Sequence, residues 1–162
     1  MRRRALIGTI STLVAAIAVI GALAATVGAK PSSTGKADKG TAYSATTHTK
    51  NGTEFIAGNA VDSLFGAGAI TYPVKVSSVP TKPGTFKVTV KPATSWFSTG
   101  SLTGTAKATL VVGANSAVTI TGTLSETKGT GALKGHSFVG TFTGQGSLVT
   151  SQYVFKYKGT YK

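Results

Sequence analysis

Conventional chemistry has few starting points in this chain. Its whole stock of histidines and acids is His48, His136, Asp38, Glu54, Asp62 and Glu126. There is no cysteine, which removes thiolate nucleophiles, thiolate metal sites and disulfides together. A metal ion needs three or four convergent donors. Two histidines far apart and a handful of acids do not predict them, so no metal site and no cofactor is expected. Serine hydrolysis has no G-x-S-x-G turn to work from. Glycoside cleavage would need two carboxyls facing each other across a cleft. Glu54 and Asp62 are the only close acidic pair, and nothing in the sequence brings them together. Asp62 is the best single acid, because it sits in the apolar run Ala60-Val61-Asp62-Ser63-Leu64-Phe65. Pointing into an apolar interior, its carboxyl would keep its proton to higher pH and serve as an acid or base. Capping a turn or facing solvent, it would do neither. His48 lies in the polar run Thr46-Thr47-His48-Thr49-Lys50 and reads as an exposed strand or loop residue. His136 follows a glycine-rich turn and reads as a surface residue.

Contact chemistry has one candidate site, Trp96-Phe97. Adjacent residues on a strand point to opposite faces, so one ring is expected at the surface or a barrel mouth. There it would stack on a ligand such as a sugar; packing at the rim of the core is the other reading. Asn51-Gly52-Thr53 matches a glycosylation sequon, and its Asn-Gly pair equally reads as a β-turn.

The elements that must carry these residues are strands. Twenty-one glycines, abundant β-branched residues and only 13% charged residues suit short strands and tight turns better than long helices or disorder. In Gly84 to Lys91, Phe86, Val88 and Val90 alternate with Lys87, Thr89 and Lys91. In Gln152 to Lys162, Tyr153, Phe155, Tyr157 and Tyr161 share one face, and Val154, Lys156, Lys158, Thr160 and Lys162 the other. Period-two runs with lysine outside predict a sheet with one buried and one wet face. Weaker runs occur at Ala69 to Ser77, Leu102 to Val112, Ser116 to Leu124 and Ser137 to Thr143. Gly-Thr followed by an apolar residue recurs at Gly84, Gly104, Gly122, Gly140 and Gly159. A spacing of about 19 residues matches two short strands with their turns, which would return the element on every second strand. The expected fold is therefore all-β, an antiparallel up-and-down barrel of about eight strands that closes to remove its edges. A membrane barrel would need apolar outward positions, whereas Lys87, Lys91, Lys156 and Lys158 stand there.

A hydrophobic signal helix is expected ahead of the barrel. Met1 to Arg4 is basic, Ala5 to Val27 is apolar, and small residues at Ala22-Leu23-Ala24 and Val27-Gly28-Ala29 suit cleavage. The expected organisation is a signal peptide over 1–29, a flexible polar spacer over 30–40 (KPSSTGKADKG) and the barrel over 41–162. The product would be secreted or held in the cell envelope, touching membrane only through an uncleaved leader. Arg3-Arg4 loosely resembles a twin-arginine export signal. The leader holds all three arginines of the chain. Residues 30–162 carry fourteen lysines against four acids, a net charge of +10. Scattered lysines without an arginine fork exclude sequence-specific nucleic-acid recognition and leave anionic envelope polymers as partners of the basic surface.

The last third carries a resemblance. Thr127-Lys128-Gly129-Thr130-Gly131-Ala132-Leu133-Lys134-Gly135-His136, then Phe138-Val139-Gly140-Thr141-Phe142-Thr143-Gly144 and the closing Tyr157-Lys158-Gly159-Thr160-Tyr161, is similar to the glycine-rich turn and following strands of allene oxide cyclase-like and dirigent-like barrels, here in a secreted bacterial form. It covers about Gly100 to Lys162. Gly129, Gly131 and Gly135 are expected to permit positive φ in a tight reversal. The resemblance implies an eight-stranded antiparallel barrel, usually oligomeric, with an apolar interior for a small hydrophobic molecule. Plant members guide cyclisation or coupling of reactive intermediates without a cofactor. Their catalytic acids find no matching positions here, so the activity is not carried over. The leading expectation is a non-enzymatic binding module for a small apolar ligand or cell-surface component, with a homo-oligomer possible. The alternatives are a cofactor-independent isomerase or cyclase working in the barrel interior, and a structural or adhesive envelope module.

Overall fold

A computed structural model describes residues 35–75 and 82–162; the leader read over 1–29 lies outside the described residues. Eight antiparallel strands follow one another around a closed barrel: β1 (Lys36–Lys50), β2 (Thr53–Asp62), β3 (Gly66–Lys75), β4 (Gly84–Phe97), β5 (Gly100–Val112), β6 (Ala117–Gly129), β7 (Phe138–Ser147) and β8 (Gln152–Tyr161). β8 pairs back onto β1 from Lys36↔Tyr161 to Ala45↔Gln152, and this closure leaves no edge strand. Each strand pairs with its sequence neighbours.

The alternation sets the layers. Val88 and Val90 are buried on β4, and Tyr153, Phe155 and Tyr157 turn inward on β8, while Lys87, Lys91, Lys156 and Lys158 are exposed. Strands of 10 to 15 residues are longer than the short strands expected. The Gly-Thr element therefore recurs on each successive strand from β4 to β8, not on every second one. One tilted strand with its turn takes up the spacing of about 19 residues.

Lys36 to Gly40, read as part of a flexible spacer, is instead the first third of β1, paired along its length with β8 and, at Gly40, with β2 as well. The stretch looks like a linker because its inward positions are Asp38 and Gly40, with no large apolar residue. Gly40 is required there: a Cβ would collide with the Tyr157 ring lying across it.

The core forms three clusters: Val88, Val90 and Ala93 along the β4 wall, and one nearer each end of the barrel. At one end Leu102, Leu133, Phe138 and Tyr161 are buried, with Phe65, Phe97 and Tyr157 packed against them. Leu133 comes from a 3-10 turn (Gly131–Leu133) between β6 and β7. That connection is tied to the β4–β5 turn by Ala132 N–H donating to the Thr99 carbonyl at 2.8 Å and Thr130 N–H to the Ser101 carbonyl at 2.9 Å. Toward the other end Val112, Val118 and Ile120 are buried beneath Phe86, Leu148 and Phe155.

Candidate functional site

Between these clusters the barrel keeps a cavity of about 170 Å³. Its walls are apolar, including Ile70, Val88, Val90, Leu110, Ile120 and Phe142. All four acids of the chain line it as well.

Three of them gather at the end capped by Leu133. Asp62 is the last residue of β2 and points inward at 6% exposure. Its Oδ1 accepts the backbone N–H of Leu64 at 2.8 Å and of Phe65 at 2.9 Å, and its Oδ2 accepts the Tyr157 hydroxyl at 2.7 Å. The two expectations for Asp62 thus combine in one carboxyl: one oxygen caps the β2–β3 turn and the other faces the barrel interior. The Gly40↔Asp62 register brings Asp38 alongside. Ser63 Oγ donates to Asp38 Oδ1 at 2.8 Å. Burial pushes the Asp38 carboxyl up to about 6, the Ser63 hydroxyl pulls it back, and the Asp62 charge adds to the rise. Glu126, on β6, is 3% exposed and accepts the Ser95 hydroxyl at 2.8 Å. Burial pushes it up to about 7 against the opposing Ser95 hydrogen bonds. The Tyr157 phenol is raised far above its usual value by burial and then by the Asp62 hydrogen bond, so it stays a proton donor.

The remaining polar groups stand apart from this cluster. Tyr72 OH and Ser44 Oγ share a hydrogen bond of 2.9 Å, and burial raises the Tyr72 phenol. Glu54 also lines the cavity but lies at the opposite end of β2 from Asp62, with Thr46 Oγ1 donating to it at 3.4 Å. These two acids do not form a facing pair. No group of three or more histidines and acids able to hold a metal ion occurs among the described residues.

Trp96 and Phe97 separate as alternation requires. Phe97 lines the cavity and meets Phe65 at 4.9 Å between ring centroids. Trp96 is 50% exposed outside the barrel, its indole N–H donating to Thr71 Oγ1 at 3.0 Å. His48 is exposed near the end of β1 and stacks on Phe55 at 4.6 Å. His136 stacks on Tyr161 at 5.1 Å, with Nδ1 3.1 Å from the Lys162 carbonyl. In the glycine-rich turn Gly131 and Gly135 adopt positive φ, at 57° and 84°. Gly129 does not. It ends β6, where a Cβ would strike the Leu133 carbonyl, so it serves close approach.

Sequence reasoning singled out Asp62 and missed Asp38, Glu126 and Tyr157 beside it. Tyr157 was on the inward face by alternation. Glu126 also followed the inward parity of Leu124, a usable signal. Asp38 sat in a stretch without apolar pattern and gave none.

No family model, curated protein or solved structure matches this chain. The geometry of the cavity is what bears on its function.

Proposed function

We propose that this chain is an exported barrel that binds one small, ring-sized, mostly apolar molecule in its interior, its one polar end held by hydrogen bonds to the Asp38–Asp62–Glu126–Tyr157 cluster. The cavity is the observation that carries the reading. Its volume of about 170 Å³ compares with the roughly 150 Å³ apolar cavity that accommodates benzene in another protein. A mostly apolar wall with a few convergent polar groups is the ordinary make-up of a small-molecule site. The basic, apolar leader read in the sequence supports export. Native mass spectrometry of the purified protein tests the binding reading. The expected result is a constant mass increment over the bare chain that disappears on denaturation. A native mass equal to that of the chain, together with no thermal stabilisation by any ring-sized apolar probe, would overturn it.

A second reading has its own observation. Glu126, pushed up to about 7, and the Tyr157 hydroxyl on Asp62 put an acid matched to neutral pH beside a phenol donor. That pair suits a cofactor-independent isomerisation or cyclisation by proton transfer. If a retained molecule is identified, its slow conversion by wild type and not by Glu126→Gln would favour this reading over simple binding.

A further inference from the structure

The interior and exterior of the barrel divide the charges completely. All four acids line the cavity, and every lysine among the described residues is exposed. No lysine, arginine or histidine of the described residues lines the cavity. Buried charges ordinarily have a partner, because an unpaired carboxylate in an apolar interior is costly. Hydrogen bonds alone are scarce here. Asp62 has three donors, but Glu126, only 3% exposed, has Ser95 as its one hydrogen-bonding neighbour among the described residues. An ionised carboxyl offers about four acceptor sites, so most of this capacity stays unmet and turned to the cavity. A chain with fourteen lysines and an inward-facing acid on β6 had ample means to place a cation opposite it, and the fold places none.

We infer that the missing counter-charge is the ligand's, and that the cavity takes a small organic cation: an amine whose apolar body fills the walls and whose ammonium lies among Asp38, Asp62 and Glu126. The inference rests on the binding function proposed above and adds the chemical class. A metal ion is a poor occupant, since the three carboxyls do not form a group able to ligate one ion together and most of the wall is apolar; an ammonium needs only one or two contacts and the nearby charge. An anion would meet three carboxyls without a compensating group. A neutral ligand would leave the cluster as it stands.

The titratable groups facing the ammonium position are Asp38 on β1, Asp62 on β2, Glu126 on β6 and Tyr157 on β8, with Tyr161 behind them. Burial favours the protonated forms of Asp38 and Glu126, so a bound ammonium expels protons from them. Affinity for an amine therefore rises between pH 5 and pH 8, and binding at neutral pH releases protons.

The test compares three probes of nearly one shape, benzylamine, benzyl alcohol and benzoate, by calorimetric titration into the purified protein at pH 7.5. Benzylamine is expected to bind about tenfold or more tighter than benzyl alcohol, a difference of the size one charge-assisted contact supplies. Benzoate should not bind. Titration in two buffers of different ionisation enthalpy should show net proton release with the amine alone. This last measurement needs no variant. Glu126→Gln should weaken benzylamine several-fold more than it changes benzyl alcohol, narrowing the amine preference. Benzyl alcohol binding as tightly as benzylamine, or amine binding without proton release, would overturn the cation inference and leave the binding function standing. Failure of all three, and of toluene, at millimolar concentration would instead remove the binding function itself.

Discussion

Removing the buried carboxyl of Glu126 should stabilise the barrel, and only at neutral to alkaline pH. Glu126 is 3% exposed, and burial raises it from 4.5 to about 7. A carboxyl with a raised folded-state value binds its proton more tightly folded than unfolded. Its penalty is therefore absent below about pH 4.5, grows as pH rises toward 7, and is constant above. Each unit of difference corresponds to about 1.4 kcal/mol, so the penalty at pH 8 is about 3 kcal/mol. Glutamine keeps the shape and can still accept the Ser95 hydroxyl through its carbonyl oxygen, but it carries no charge at any pH. Urea unfolding of wild type and Glu126→Gln at pH 4.5 and pH 8 measures the effect. The two proteins should be nearly equal at pH 4.5, and the variant should be more stable by about 3 kcal/mol at pH 8. The Asp38 carboxyl, also raised, changes wild type and variant alike, so the difference isolates Glu126. A variant that parallels wild type across this range, or one less stable at pH 8, would refute the claim that Glu126 is buried without a counter-charge.

Single contacts give four further outcomes. Tyr157→Phe removes the donor on Asp62 Oδ2 at 2.7 Å and should cost about 2 kcal/mol in denaturant unfolding; an unchanged midpoint would mean the hydroxyl bonds water equally well. Leu102→Ala, at a side chain 2% exposed in the capped end, should cost about 3 kcal/mol and bring the thermal transition down by several degrees. Gly131→Ala forces a Cβ onto a backbone with φ of 57° and against the Thr99 carbonyl, at an expected cost of about 1–2 kcal/mol. Trp96, the single tryptophan, stands half-exposed on the outer wall, so iodide should quench it freely and a probe bound in the cavity should leave its emission unchanged. Protection of Trp96 by the probe would place binding on the outer wall.

Much of the architecture was readable along the chain because a strand has a period of two. Phe86, Val88 and Val90 against Lys87, Thr89 and Lys91 determined which side of β4 was wet, and Tyr153, Phe155 and Tyr157 did the same for β8. The length of a strand was not readable, because glycine and threonine serve turns and strands alike; one Gly-Thr element per strand therefore passed for one per strand pair. Lys36 to Gly40 failed for a related reason. A strand whose inward residues are an acid and a glycine shows no hydrophobic alternation, and only its pairing with β8 identifies it.

The candidate site divides along the same line. The sequence by itself determined that the acids were few, that cysteine and metal chemistry were absent from the expected repertoire, and that Asp62 stood in apolar company. That one carboxyl would both cap a turn and face the interior depends on the β2–β3 turn geometry. That Asp38, Glu126 and Tyr157 would meet it depends on closure, since Asp62 and Tyr157 lie 95 residues apart and are brought together when β8 returns to β1. The confinement of every acid to the interior and every described lysine to the surface is likewise a property of the closed barrel. Alternation assigns each side chain a face, but only closure makes one face an interior, and burial there is what turns ordinary carboxyls into a shared, uncompensated site.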